Sequence, residues 1–132
     1  MGLFKRIFGI CETRPPANEG CWKHSKGEIE ITLDMAPELS EPGSAVRLER
    51  RGLPDRILVI KGDDGNFRAF KNRCTHMGRR IDPVEGSSSL KCCSVSGSLY
   101  DNSGKKLLGP AKKPLTPYKV RQEENRLIVF LE

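Results

Sequence analysis

The residues best suited to chemistry are a cysteine and a histidine two positions apart, Cys74 and His76, in the stretch RCTHMGRR. Thiolate and neutral imidazole both bind metal ions, and Gly78 follows where a tight loop needs backbone freedom. Two ligands do not make a metal site, so a second half is needed. The neighbouring thiols Cys92 and Cys93 are the candidates for that half, and the pattern therefore predicts a metal centre built from two loops.

Short strands must position these loops. Alternating polar and apolar residues predict a strand at 28–33, and residues 62–65 are typical of a tight turn between two further strands. Turn signals recur every eight to twelve residues, and no long helical pattern is present. The predicted strands are 28–33, 45–48, 56–60, 66–70, 90–92, 98–100, 117–121 and 126–131. The sequence thus predicts an all-β fold, an antiparallel β-sandwich or small barrel.

The chain is predicted to hold one domain, because 132 residues can bury one modest core. Residues 1–27 are interpreted as an N-terminal tail and linker, since Arg14-Pro15-Pro16 suits neither helix nor sheet interiors. Residues 28–132 form the predicted domain. The first ten residues are amphipathic, which fits either a frayed end or peripheral contact with a membrane surface or a partner.

No apolar run is long enough to cross a bilayer or to act as a secretory signal. The five cysteines are therefore interpreted as thiols or metal ligands in a reducing compartment, and the expected location is cytoplasmic. The net charge of +6 is spread along the chain, with dense runs at Lys105-Lys106 and Lys112-Lys113. A basic face is either simply solvated or steers an acidic partner.

Two functional classes are excluded by the composition and the motifs. Aromatic residues make up only 6% of the chain and do not alternate with the basic runs, so nucleic-acid binding is not expected. The sequence contains no nucleophile–histidine–acid arrangement, no phosphate-binding glycine loop and no paired carboxylates suited to acid–base work. We therefore do not expect a self-sufficient enzyme.

The spacing of the candidate ligands resembles the Rieske iron–sulfur family. That family's pattern is Cys-x-His-x-Gly, a gap of about sixteen residues, then Cys-x-x-His-Gly and a downstream aromatic-Asp pair. The corresponding segments here are Cys74-x-His76-x-Gly78, Cys93-x-x-Ser96-Gly97 and Tyr100-Asp101. The stretch 109–115, with Pro110, is similar to the proline loop of the family. The resemblance extends over residues 44–132, about two thirds of the chain.

The resemblance implies a Rieske-like fold with two ligand-bearing hairpin loops, a proline loop and a [2Fe-2S] cluster. In this family, two thiolates bind one iron and two imidazoles bind the other, which raises the reduction potential. It implies Cys74, Cys93 and His76 as ligands, with Ser98 and Tyr100 donating hydrogen bonds to sulfur and Pro110 covering the cluster. Arg79 and Val95 replace the cysteine pair of the high-potential branch, so the low-potential, ferredoxin-like branch is the nearer one.

One ligand of the family pattern is absent, because Ser96 replaces the second histidine and a serine hydroxyl is a poor ligand. Cys92 would complete a set of three thiolates and one imidazole if the backbone bulges beside Cys93, since adjacent strand residues face opposite ways. His24 or Cys21 from the tail, or a water molecule, are the other candidates. A cluster of this kind would have a lowered potential.

The resemblance implies a small electron carrier, a Rieske-type ferredoxin that passes single electrons between a reductase and a terminal oxidoreductase. An alternative is a cluster-free Rieske-fold module that acts only by binding other components of an oxidoreductase complex. The retained Cys74 and His76 favour the first interpretation, and the missing histidine favours the second. Zinc bound by the three thiols and His76 is a third interpretation, since these are ligands of tetrahedral zinc sites.

Overall fold

The protein folds into two antiparallel β-sheets. The structure, a computed structural model, describes residues 12–49, 52–75, 78–84, 88–93, 98–109 and 111–131. Eleven strands lie within these ranges, together with three short 3-10 helices, Glu19–Cys21, Leu33–Met35 and Pro37–Leu39. The strands are β1 Trp22–Ser25, β2 Glu28–Thr32, β3 Ala45–Leu48, β4 Ile57–Lys61, β5 Phe67–Lys71, β6 Ile81–Pro83, β7 Leu90–Cys92, β8 Leu99–Tyr100, β9 Lys106–Leu108, β10 Pro117–Glu123 and β11 Arg126–Phe130. The predicted all-β class is confirmed.

The larger sheet has seven strands in the order β1-β2-β11-β10-β5-β4-β3. Its strands alternate as the sequence pattern predicts: in β2, Ile29 and Ile31 are buried and the residues between them are more exposed. Directly paired residues share a face, so Leu127 of β11, opposite Ile31, points the same way. This face forms the first core of the protein.

The smaller sheet has four strands in the order β6-β7-β8-β9. In β7, Leu90 and Cys92 are buried while Lys91 between them is partly exposed. Tyr100 of β8 lies opposite Leu90, so both side chains lie on one face. That face packs against β4 and β5 and forms a second core, which contains two cysteines, Cys74 and Cys92.

Strand β4 separates the two cores and is buried on both faces. Ile57 and Val59 belong to the first core. Leu58 and Ile60 belong to the second. This explains why β4 is a continuous apolar run in the sequence rather than an alternating one. Cys74 and Cys92, from which the candidate ligand loops extend, therefore belong to a core that is lined by β4, and the other face of this strand lines the first core.

Part of the segment before residue 28, which was predicted to be a tail, forms a strand of the larger sheet. Strand β1 pairs with β2, so the larger sheet begins before the predicted domain boundary. Residues further upstream are held by Asp82, whose carboxylate accepts the backbone N–H groups of Glu12 and Thr13 at 2.7 and 3.0 Å. The predicted amphipathic start, residues 1–10, lies outside the described residues. In the described part of the chain, no helix has the length and apolar character needed to cross a membrane.

Candidate functional site

The first candidate loop begins after β5 and closes on itself through backbone hydrogen bonds. The N–H of Cys74 donates to the carbonyl of Arg79 at 2.7 Å, and the N–H of Gly78 donates to the carbonyl of Cys74 at 2.9 Å. Gly78 has a φ of +70°, a conformation that side chains rarely adopt. The Cys74 side chain is 1% exposed. The loop is therefore short and tight, and its cysteine faces inward.

Arg56 joins the two ends of this loop. Its Nε donates to the carbonyl of Asn72 at 3.1 Å and its Nη2 donates to the carbonyl of Gly78 at 2.6 Å. Asn72 is itself buried and accepts the N–H of Ile81 at 2.7 Å through Oδ1. Burial, and next the charge of Arg80, lower the pKa of Arg56. The neck of the loop is thus fixed by groups that the sequence analysis did not identify.

The second candidate loop follows β7, and Cys93 is its one residue among those described before residue 98. The N–H of Cys93 donates to the carbonyl of Arg80 at 2.9 Å, while Cys74 contacts the carbonyl of Arg79. The two cysteine-bearing segments therefore flank the same Arg79–Arg80 dipeptide. Glu49 accepts two hydrogen bonds from the Arg80 guanidinium, at 2.7 and 2.8 Å, which ties this dipeptide to the end of β3.

Cys92 and Cys93 occupy different environments. Cys92 lies on the face of β7 that forms the second core, in the same buried cluster as Cys74 and Tyr100. Cys93 is also fully buried, but it is the next residue along the chain and takes part in a disulfide whose partner lies outside the described residues. The predicted role of Cys93 as a ligand stays a prediction.

Tyr100 connects the first loop to the second core. Its hydroxyl lies 3.4 Å from Cys74 Sγ and 3.2 Å from Thr75 Oγ1. Thr75 Oγ1 donates its only proton to the carbonyl of Lys113 at 2.6 Å, so Tyr100 is the donor in the Thr75–Tyr100 hydrogen bond. Burial, and next the contact with Cys74, raise the pKa of Tyr100 to about 12. The tyrosine therefore holds its proton and can act as a hydrogen-bond donor.

Ser98 is buried where the second loop meets the segment that resembles a proline loop. Its Oγ accepts the N–H of Ala111 at 3.1 Å, and its carbonyl accepts the N–H of Cys92 at 2.8 Å. Gly109 packs so closely that a Cβ there would lie 2.5 Å from Ser98 Cα. A hydroxyl that accepts one hydrogen bond still has a proton to donate. The predicted role of Ser98 toward a cofactor stays a prediction.

The tail residues suggested as replacement ligands lie elsewhere. Cys21 packs in the first core, and His24 is in β1 at an edge of the larger sheet. Four strand positions separate β1 from β5, which leads to Cys74. Cys21 thus packs in a different core from Cys74 and Cys92.

Several predicted site residues fall outside the described residues, namely His76, Ser96 and Pro110. Within the described ranges, no group of three His, Cys, Asp or Glu side chains is arranged to hold a metal ion. The structure thus brings together Cys74, Cys92, Tyr100 and Thr75, whereas the histidine half of the predicted site is untested. A cleft beside Cys74 is lined by three cationic side chains, Lys71, Arg73 and Lys113.

A protein-family model describing the Rieske [2Fe-2S] domain matches residues 31–119. The cytochrome b6-f complex iron-sulfur subunit of Chlorobaculum tepidum is 31% identical over 77 residues, covering 58% of this chain and 41% of the subunit. The alpha subunit of chlorobenzene dioxygenase from a Cupriavidus species is 30% identical over 86 residues, covering 58% of this chain and 19% of that protein. The chain spans less than half the length of these curated relatives.

Solved structures share the fold. The ferredoxin of carbazole 1,9a-dioxygenase from Nocardioides aromaticivorans matches with a TM-score of 0.61 at 22% identity, covering 77% of this chain and 94% of the ferredoxin. A complex of reduced oxygenase and oxidized ferredoxin in carbazole 1,9a-dioxygenase contains a chain that matches with a TM-score of 0.64 at 20% identity, covering 82% of this chain and 96% of that one. At such identities these matches concern the fold alone, and they confirm the predicted Rieske-like architecture.

Proposed function

Because the chain belongs to the Rieske [2Fe-2S] domain family, we propose that it is an electron carrier whose cluster is bound in a modified site between the two cysteine-bearing loops. The observation that carries this proposal is the buried group of two thiols and a tyrosine hydroxyl, Cys74, Cys92 and Tyr100, beneath the first loop. A [2Fe-2S] cluster in such a site would supply one-electron chemistry near the protein surface.

The donor chemistry fits half of a Rieske centre. Cys74 and Cys92 are buried thiols facing one cluster of side chains, and thiolates are the ligands that iron–sulfur clusters require. The imidazole half is reduced to His76, because Ser96 offers a weak donor. We therefore propose Cys74, Cys92 and His76 as ligands, with Cys93 as the remaining thiol of the predicted set once it is reduced.

Cys92 is favoured over Cys93 by its position on the same face as Tyr100. Cys92 is the last residue of β7 and shares its face with Leu90 and, across the sheet, with Tyr100, whereas Cys93 lies beyond the end of the strand. Tyr100 in turn contacts the Cys74 sulfur. A third thiolate, if Cys93 also joined, would add negative charge and lower the reduction potential further.

Thr75 and Cys74 compete for one proton of Tyr100. In the thiol form of the site this proton is directed to Thr75 Oγ1, because Thr75 has committed its own proton to Lys113. A Cys74 thiolate would be the stronger acceptor, since hydrogen bonds to ionised groups are stronger than neutral ones. We propose that Tyr100 then rotates its hydroxyl proton toward the Cys74 sulfur and stabilises the negative charge there.

The proposed partners are redox proteins. The chain would accept single electrons from a reductase and deliver them to a terminal oxidoreductase, as a ferredoxin found in complex with an oxygenase suggests. We place this exchange in the cytoplasm, where a reducing environment keeps the ligand thiols available.

The decisive experiment is anaerobic expression followed by iron and acid-labile sulfide analysis, visible absorption and electron paramagnetic resonance of the reduced protein. We expect two irons and two sulfides per chain. Cys74→Ser and Cys92→Ser should remove the cluster, whereas Cys93→Ser should retain it with a shifted spectrum. A colourless wild-type protein would contradict the proposal, and cluster loss in C93S but not in C92S would contradict the ligand assignment.

A cluster-free module is the second candidate, and two observations favour it. The family's second histidine is replaced by Ser96, and Cys93 is oxidised to a disulfide in this structure. In that case the fold would act as an accessory part of an oxidoreductase complex. The same metal analysis separates the candidates. Iron with sulfide supports the carrier, and zinc alone supports a structural metal site. A protein that contains neither metal supports the accessory module.

A further inference from the structure

The edge of the smaller sheet carries an exposed surface that is both apolar and basic. Strand β9 pairs only with β8, and all three of its residues are exposed. Leu107 and Leu108 are 49% and 62% exposed, and they are two of the three large apolar side chains at the surface of the described part of the chain. We define the β9 surface as these leucines and the neighbouring lysines, namely Lys105, Lys106, Lys112 and Lys113.

The charge of this surface is not balanced locally. The described residues between 98 and 113 include four lysines and one carboxylate, Asp101. Asp101 accepts hydrogen bonds from within its own turn. None of the four lysines forms an ion pair within the described residues. Cations on the larger sheet differ, because Lys23 and Arg126 both pair with Glu30. The β9 surface thus combines a local excess of positive charge, in residues 105–109 and 111–113, with two exposed leucines that point to opposite faces of the strand.

The β9 surface is joined to the candidate site by direct contacts. The carbonyl of Lys113 accepts the hydroxyl proton of Thr75, the residue after Cys74. At the other end, Leu108 lies opposite Leu99 of β8, and Ala111 donates its N–H to Ser98 Oγ. A protein that lies on this surface would therefore lie within a few residues of the proposed ligand Cys74.

We propose that the β9 surface is the docking site for an acidic electron-transfer protein. An apolar centre with a charged rim is typical of protein interfaces, and cations at the rim attract an acidic partner and raise its association rate. The position beside Cys74 favours a redox protein over a membrane, because electron exchange requires close approach of two centres. The absence of aromatic side chains from this surface argues against single-stranded nucleic acid. This inference rests on the proposed electron-transfer function.

The test uses two haem proteins of opposite surface charge as probes, the acidic cytochrome b5 and the basic cytochrome c. Both are mixed in their ferric form with the dithionite-reduced, cluster-loaded protein in a stopped-flow instrument. We expect cytochrome b5 to be reduced faster at low ionic strength, with a rate that falls as salt is added. The double variant K106E/K113E should slow this reaction about tenfold or more and accelerate the reaction with cytochrome c.

Two variants separate the surface from the overall charge. The single variants Lys106→Glu and Lys26→Glu make the same charge change, the second in the β1–β2 turn at the far edge of the larger sheet, and Lys26→Glu should change the cytochrome b5 rate less than twofold. Leu108→Gln removes apolar area without a charge change and should weaken the complex. Equal rates with both probes, or equal effects of K26E and the β9 variants, would overturn the proposal.

A second readout keeps this test independent of the cluster. In nitrogen-15 labelled protein titrated with ferric cytochrome b5, we expect amide signals of residues 105–109 and 111–113 to shift or broaden. If the protein carries no cluster, the proposed function fails while this titration still tests docking. Binding to phosphatidylserine vesicles that K106E/K113E abolishes, without any cytochrome b5 effect, would overturn the proposal in favour of a membrane surface.

Discussion

The two cores of this protein share a wall but differ in chemistry. The first core, on one side of β4, is built from aliphatic and aromatic side chains, with Cys21 as its only cysteine among the described residues. The second core, on the other side, contains Cys74, Cys92 and Tyr100. Both cores include residues outside the strands, such as Leu39 of a 3-10 helix in the first and Leu115 in the second. The comparison teaches that the two cores are alike in construction, and that the group formed by Cys74, Cys92 and Tyr100 belongs to the second alone.

The largest effect on the unfolding free energy should come from truncating a side chain in the first core. Ile31→Ala removes a side chain that is 1% exposed, and we expect the free energy of unfolding to fall by about 3 kcal/mol. Urea denaturation measures this change. Iron and sulfide per folded chain should stay at the wild-type value, because Ile31 contacts none of the candidate ligands. Loss of cluster from fully folded I31A would show that the two cores are not separable.

The neck of the first loop should give the next effect. Arg56→Gln removes the hydrogen bonds to the carbonyls of Asn72 and Gly78, and we expect a loss of about 2 kcal/mol in unfolding free energy. In the cluster-loaded protein, the electron paramagnetic resonance signal should broaden, because the loop holding Cys74 becomes less ordered. The control is Arg68→Gln, whose pair with Asp64 is exposed and screened by solvent, so the unfolding free energy should change much less. Equal effects of the two variants would contradict a special role for Arg56.

Tyr100→Phe tests the polar character of the second core. The change leaves Thr75 and Cys74 without their shared hydrogen-bond partner, so we expect about 1 kcal/mol of destabilisation. In the loaded protein the reduction potential should fall, because a donor to the cysteine sulfur is lost. Tyr118→Phe is the matched control, since that half-buried tyrosine packs against the first core. A potential that changes equally in both variants would refute the assigned contact.

The smallest effect should be the contribution of the Arg80–Glu49 ion pair to the unfolding free energy, and this contribution should depend on pH. The hydrogen bond from Arg80 lowers the pKa of Glu49 below its ordinary value of 4.5. The folded state therefore binds fewer protons than the unfolded state, and the contribution of the pair is present above about pH 4.5 and lost as the pH falls through the folded pKa. We expect below about 1 kcal/mol at neutral pH. A double-mutant cycle of Glu49→Gln and Arg80→Gln at pH 7 and pH 3 measures it, and a coupling that persists at pH 3 would contradict this account.

Much of the first core could be predicted from the sequence, because its strands alternate or form short apolar runs. The alternation at 28–33 gave β2 to within one residue, and the run before residue 61 gave β4. The family resemblance carried by Cys74 and Cys93 predicts two adjacent ligand loops, and the structure describes the cysteines at which these loops begin. These signals come from local patterns or from a family resemblance. Both can be interpreted without knowledge of tertiary contacts.

Other features depend on contacts that no local pattern reveals. Strand β6, which contains Asp82-Pro83, is not among the predicted strands, and its place at a sheet edge is one where proline is tolerated. Strands β1 and β9 are short and lack alternation, so neither was predicted. Arg56 acts on carbonyls 16 and 22 residues away. Ion pairs and hydrogen bonds over such separations follow from the fold and are invisible beforehand.

The shared wall has a consequence for electron exchange. Strand β4 is packed on both faces, so the side chains that pack with Cys74 have little space in which to move. When a nearby centre gains or loses an electron, the nuclei around it must readjust, and a stiff surrounding keeps that readjustment small. If a cluster is bound there, the burial that makes β4 hard to substitute would also favour a low reorganisation energy, which fast electron tunnelling between proteins requires.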